Sequence, residues 1–96
     1  MTTQLSKQTP KRRRIKFTFN AKEAAFVCLS GDFNNWSEKR HVMDEAGPGT
    51  WTKTLLLPLG VYEYKFKVDE QWVNDPQNEQ LKLNCFGTEN NLIQVR

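Results

Sequence analysis

The chain has 96 residues, of which 38% are hydrophobic, 26% charged and 11% aromatic, and its formal net charge is +3. That length allows one domain around one core, and no run approaches the roughly eighteen consecutive apolar residues of a membrane-spanning helix. The positive charge is local: Lys7, Lys11, Arg12, Arg13 and Arg14 fall in the first fourteen residues with no acid, while from Ile15 onward nine basic residues face eleven acidic ones. A body that is slightly acidic repels phosphate, so nucleic-acid binding is unexpected outside the basic arm.

Residues 1–12 read as a disordered basic arm, whose plainest role is a solvated terminus. The opening M-T-T-Q-L-S-K-Q-T-P lacks the apolar segment of a secretory signal, which points to a cytoplasmic protein or a fragment of one. Residues 13–96 are expected to form the folded domain. From Arg13 the pattern alternates: Ile15, Phe17 and Phe19 against Lys16, Thr18 and Asn20, the period of a half-buried strand. Asn20 to Glu23 is a polar turn, and Ala25, Val27 and Leu29 continue the alternation in a second strand. Cys28, out of phase with Val27 and Leu29, is expected on the other face. Cys85 sits in a polar loop. An immunoglobulin-type disulfide is therefore not expected between them, which fits a reducing compartment.

The second strand ends in S-G-D-F-N-N-W, residues 30–36. Gly, Asp and Asn between apolar runs are turn formers, and this turn delivers Trp36 with little flanking sequence to bury it. H-V-M-D follows as a short strand in which either Val42 or Met43 faces the core. E-A-G-P-G, residues 45–49, is expected to break the chain, because two glycines flank a proline without an amide donor. Trp51, Leu55 and Leu57 then share one face of a strand, which makes Trp51 a core residue. Pro58, Leu59 and Gly60 turn the chain into the clearest strand, Val61 to Val68, with Tyr62, Tyr64, Phe66 and Val68 on one face and Glu63, Lys65 and Lys67 on the other. Lys65 thus points away from the core.

Asp69-Glu70 turns into a partner strand carrying Trp72. After Asp75-Pro76 comes a long polar excursion with no evident regular structure, and such loops are commonly disordered or functional. It ends in F-G-T-E-N-N, residues 86–91, before a last strand from Leu92 to Val95. Seven or so short antiparallel strands, turning roughly every eight to twelve residues with no helix of ordinary length, predict an all-β immunoglobulin-like sandwich.

Trp36, Lys65 with Trp72, and Thr88 with Asn90 all fall on loops or on an outward face. A pyranose ring has an apolar C–H face and a rim of hydroxyls, so an indole laid against the face and donors aimed at the rim suit it. Large, stiff aromatics lose few rotors on binding. The strings L-S-G-D-F-N-N-W, Y-K-F-K-V-D-E-Q-W-V-N-D-P and F-G-T-E-N-N-L-I-Q-V resemble, in that order, the early-set glycogen-binding domains of AMP-activated protein kinase β subunits, which belong to family 48 of the carbohydrate-binding modules. The resemblance covers residues 15–96. It implies that Trp36 and Trp72 stack on glucose, that Lys65 hydrogen-bonds sugar hydroxyls, and that Thr88 and Asn90 touch the sugar. Phe86 stands where many such domains carry a leucine that contacts the oligosaccharide; its larger ring either adds a third platform or obstructs that contact.

The resemblance further implies a non-catalytic module for α-1,4-linked glucans, with no metal or other cofactor, and a glucan-processing enzyme or kinase as protein partner. The resemblance also admits a scaffold domain that docks on such a partner without binding sugar. A glycosidase needs two carboxyls about 5 to 9.5 Å apart flanking a cleft; Asp32, Asp44, Asp69 and Asp75 all sit in turns or at strand edges. With His41 the sole histidine, neither a His-rich metal cluster nor a Cys–His nucleophile is indicated.

Overall fold

A computed structural model describes residues 11–96, so residues 1–10 of the arm expected over residues 1–12 lie outside the described part. Eight strands follow one another: β1 (Arg12–Asn20), β2 (Val27–Gly31), β3 (Asp44–Gly47), β4 (Thr50–Pro58), β5 (Gly60–Val68), β6 (Gln71–Val73), β7 (Leu81–Leu83) and β8 (Glu89–Val95). A single 3-10 turn, Asp32–Asn34, is the one helical element among the described residues. β1 opens at Arg12, which pairs with Pro58.

The strands form two antiparallel sheets, one in the order β1-β4-β3 and the other in the order β2-β5-β8-β7 with β6 beside β5. Alternation explains the layering. Phe17, Phe19, Trp51, Leu55 and Leu57 from the first sheet face Val27, Leu29, Tyr64, Phe66 and Val95 from the second, and all are buried. Aromatic rings cross the interface edge-on or tilted, Phe17 against Tyr64 at 5.1 Å and Phe19 against Phe66 at 4.8 Å between centroids. Trp51 is in the core as its phase requires, and its Nε1–H donates to the Ala21 carbonyl at 3.1 Å. No helix among the described residues is long and apolar enough to cross a membrane.

Of four local expectations, two are resolved further and two change. Met43, not Val42, enters the core. The 45–49 stretch does not break the chain at Glu45, because Asp44–Gly47 pairs with β4 and the turn is confined to Pro48 and Gly49. Cys28 does lie on the outer face of β2 but is fully buried: the Ser37 carbonyl lies 3.8 Å from its Sγ, so the segment around Ser37 covers that face, while residues 41–43 pair along the edge of the strand, with Leu29 N–H donating to the His41 carbonyl and Met43 N–H to the Val27 carbonyl. Burial pushes the Cys28 thiol up, and both cysteines are free. The polar excursion, finally, is ordered and contributes an eighth strand, β7.

Side-chain amides hold that excursion in place. Asn91, completely buried, accepts from Asp75 N–H at 2.6 Å and donates to the Asn78 carbonyl at 2.9 Å. Asn78 Nδ2 donates to the Tyr64 hydroxyl at 3.0 Å, and that hydroxyl donates to Asp75 Oδ2 at 2.8 Å. Burial pushes the Tyr64 phenol well above its ordinary range, so it remains a donor.

Candidate functional site

β5 is the spine of the site. Its outward residues are Glu63, Lys65 and Lys67, and the segments that flank the strand fold over that row. On one side, β2 ends at Gly31 and the chain turns through Asp32–Asn34 into Asn35 and Trp36, which both take left-handed backbone angles, φ 56° and 58°. For a side chain as large as tryptophan this conformation is uncommon and costs about 1 kcal/mol or more, so surrounding bonds must enforce it. They do: Trp36 N–H donates to the Gly31 carbonyl at 2.9 Å, and Trp36 Nε1–H donates to Asp32 Oδ1 at 3.0 Å. The other oxygen of Asp32 accepts from Glu63 N–H at 2.8 Å, tying the turn to β5. Asn34 closes it from inside, accepting from Gly31 N–H at 3.1 Å and donating to the Leu29 carbonyl and to His41 Nδ1, both at 2.9 Å.

The Asn34 contact has a pH consequence. His41 Nδ1 accepts there, so its proton sits on Nε2; burial first, then the charges of Arg40 and Lys53, hold its pKa below the ordinary 6.5. The unfolded chain therefore takes up this proton at higher pH than the folded one. The contribution to stability is fully present above about pH 6.5 and is lost as the pH falls through the folded-state value. Thermal unfolding between pH 7 and 5.5 should show a decline that His41→Gln flattens; an unchanged slope in the variant would contradict this reading.

Trp72 comes from β6, directly opposite Lys67 on β5. Lys67 Nζ lies 5.0 Å from the Trp72 ring centroid and 2.7 Å from Glu38 Oε1, so one ammonium supports the indole and fastens the Trp36 loop. The two indoles meet edge to face, centroids 6.3 Å apart at 65°. They make an angled corner rather than two parallel plates. Trp72 is 42% exposed and Trp36 is partly buried.

The third wall is the β7–β8 hairpin. Asn84 organises it: its Oδ1 accepts from Phe86 and Thr88 N–H at 2.9 and 3.1 Å, and its Nδ2 donates to Thr88 Oγ1 at 2.8 Å and Asn90 Oδ1 at 3.0 Å. Lys65 Nζ donates to Thr88 Oγ1 at 3.3 Å, which leaves two ammonium protons and the threonine hydroxyl proton without a described protein acceptor. Asn90 Nδ2 donates to Glu63 Oε1 at 3.0 Å, which fixes the orientation of that amide. Phe86, at the hairpin tip, is 85% exposed.

Together these walls border a solvent-open cavity of about 890 Å³. It is lined by Trp36, Lys65, Trp72, Phe86, Thr88 and Asn90, so all six residues singled out in the sequence meet at one place. Glu38, Glu63, Leu83, Asn84 and Cys85 complete the lining and were not anticipated. Glu63 was legible as an outward neighbour of Lys65; Asn84 carried only the signature of a turn former. Lys65 points outward as its phase requires, yet it is nearly buried at 9% exposure because the hairpin covers it.

Asn84→Ala should lower stability by only about 1 kcal/mol, since its bonds are local and partly solvated, while releasing Thr88 and Asn90. Any ligand held by those two groups should bind severalfold more weakly. Denaturant unfolding paired with a binding titration checks this, and equal affinity in the variant would contradict the organising role.

The sequence profile of the family described as "Glycogen recognition site of AMP-activated protein kinase" matches residues 13–96. Curated relatives include 5'-AMP-activated protein kinase subunit beta-1 of Rattus norvegicus, 40% identical over 82 residues, and subunit beta-2 of Homo sapiens, 42% identical over 82 residues; each match covers 85% of this chain and 28% of the relative. The chain thus spans little more than a quarter of the length of those kinase subunits. Among solved structures, a maltogenic amylase from S. marinus superposes with a TM-score of 0.75 at 23% identity, over 88% of this chain and 14% of the amylase. A pullulanase from Bacillus acidopullulyticus gives 0.66 at 21% identity, over 92% and 11%. Those two likenesses speak to the fold.

Proposed function

This chain belongs to the family of AMP-activated protein kinase glycogen recognition sites, a non-catalytic carbohydrate-binding module, and from that premise we propose that it holds α-1,4-linked glucans in the cavity over β5. The observation that carries the reading is the convergence of Trp36 and Trp72, from opposite ends of the β2-β5-β6 row, beside the free protons of Lys65 and Thr88. An α-1,4 chain curves, so successive rings change direction, and two indoles inclined at 65° suit such a bend better than a flat ribbon. Asn90 and the lysine then select hydroxyl positions. Phe86 adds an exposed apolar surface at the rim for a further ring.

The site is open to solvent and much of its polar lining already has protein partners. Affinity should be modest, with a Kd on the order of micromolar to millimolar. Isothermal titration with maltoheptaose, against cellohexaose as the straight-chain comparison, tests the proposal: saturable heat with the former and much weaker heat with the latter is expected. No heat with either, or equal binding of both, would overturn it. The free cysteines suit a reducing, cytoplasmic setting. Because the matched relatives are kinase subunits, the module is read as working within a larger assembly, with a kinase or glucan-processing enzyme as neighbour.

A further inference from the structure

On the sheet opposite the cavity, β1 is an end strand of the order β1-β4-β3, and no described strand pairs with its outer edge. The bonding pattern shows which groups that edge presents. Leu59 N–H donates to the Lys11 carbonyl and Ala21 N–H to the Gly49 carbonyl, and with the register Arg12↔Pro58 through Asn20↔Thr50 this directs the odd-numbered residues of β1 toward β4. Pro58, without an amide hydrogen, falls opposite Arg12 at a non-bonding position, as it must. The N–H and C=O groups of Arg12, Arg14, Lys16 and Thr18 therefore face outward.

The side chains of Arg12, Arg14 and Lys16 stand on the outer face of the sheet, because Ile15, Phe17 and Phe19 occupy the inner one. All three are exposed, and none has an ion-pair partner among the described residues, where the salt bridges are Lys67–Glu38 and Lys82–Glu63. Ile15 beside them is only partly buried. This edge joins backbone groups with no strand partner, among which the Arg12 carbonyl accepts only locally from Arg13 Nη1 at 3.1 Å, a row of unpaired cations at every second position, and apolar surface on the inner side.

We infer that β1 is a docking edge for an extended acidic segment of a protein partner, which adds to the sheet as a further strand. Its recognition features follow from the pleat: acidic side chains at alternate positions meet Arg12, Arg14 and Lys16, and the residues between them, apolar, cover Ile15. The same charges disfavour a second copy of this chain, since pairing β1 with itself sets cations against cations. The site is independent of the glucan cavity, so one module can hold sugar on one sheet and a partner strand on the other.

The test uses the full chain and a fluorescein-labelled peptide of alternating Glu and Val, ten residues long by design, with a control of the same composition interrupted by proline. Fluorescence anisotropy at low salt should show saturable binding of the alternating peptide. Binding should weaken about tenfold or more in Lys16→Glu and fall also in Arg14→Pro, which removes one outward N–H without touching the β4 ladder. Arg14→Gln separates loss of charge from loss of the donor and should retain more binding than Arg14→Pro. Amide exchange by NMR should slow at Arg12, Arg14, Lys16 and Thr18 when peptide is added, with the melting temperature of each variant confirming that it folds. Absence of binding, equal binding of the proline-interrupted peptide, unprotected β1 amides, or a dimer in sedimentation that the peptide dissolves would each overturn the inference.

Discussion

Trp36→Ala should weaken maltoheptaose binding by roughly thirtyfold or more, the about 2 kcal/mol expected when a central aromatic anchor is truncated. Alanine keeps the Cβ, so the left-handed backbone at this position is no worse than with tryptophan. What is lost is the plane against which a sugar ring lies, together with the edge-to-face contact on Trp72 and the bond to Asp32 Oδ1. Asp32 keeps its second oxygen on Glu63 N–H, so the turn should hold and stability should fall by only about 1 kcal/mol. Trp51→Ala provides the contrast: that indole is core, and its removal should cost about 3 to 5 kcal/mol in unfolding free energy. Calorimetry and denaturant unfolding on the two variants separate the roles. Undiminished sugar binding by Trp36→Ala would contradict the stacking account.

Gly31→Ala should damage fold and site together. A methyl group at this position would lie 2.6 Å from the Glu63 carbonyl oxygen, 2.8 Å from Tyr64 Cβ and 2.8 Å from Phe33 Cζ. The backbone there is extended, with φ −175°, so the constraint is space and not dihedral angle. Two of the three obstacles cannot rotate away, and the strands must separate. Overpacking of this kind costs about 3 kcal/mol or more. The separation occurs where Trp36 N–H bonds to the Gly31 carbonyl and where Asp32 reaches Glu63. Sugar affinity should therefore drop even in the fraction that stays folded. Unfolding curves, with titration under conditions where the variant is native, check both effects; native-like stability would show that β2 and β5 are looser than described.

The sequence made the buried faces legible. Phe17 and Phe19, Leu55 and Leu57, and Tyr64 and Phe66 alternate with polar residues because each strand turns one side to the core, and that periodicity needs no tertiary information. The tryptophan in the Gly-Asp-Asn turn was readable for the opposite reason, since it had no apolar company to bury it. β7 was not readable. Leu81 and Leu83 alternate with Lys82, but both leucines are exposed, and three residues in a polar stretch give too short a period. The start of β8 was hidden in the same way: Asn91 occupies an inward position opposite Tyr64, where an apolar residue would have marked a strand, and its four hydrogen bonds to Asn74, Asp75 and Asn78 replace the missing burial energy.

Side chains that act on other side chains were the least visible of all. Asn84 holds Thr88 and Asn90 through an amide that in sequence is a turn residue in a polar loop, and Glu63 fixes Asn90 across two strands. Such bonds join segments whose proximity only the fold creates. Cys28 illustrates the converse, since its face was legible but its cover, the segment whose Ser37 carbonyl lies 3.8 Å from Sγ, was not.

On the proposed function, two of the three tryptophans are glucan platforms while the third is core. A ¹H–¹⁵N spectrum resolves one indole Nε1–H signal for each, and titration with maltoheptaose to about 10 mM spans the affinity range expected. The Trp36 and Trp72 signals should shift together and saturate, while that of Trp51, bonded to the Ala21 carbonyl beneath the opposite sheet, stays in place. Stationary Trp36 and Trp72 signals, or movement of Trp51 alone, would contradict that function.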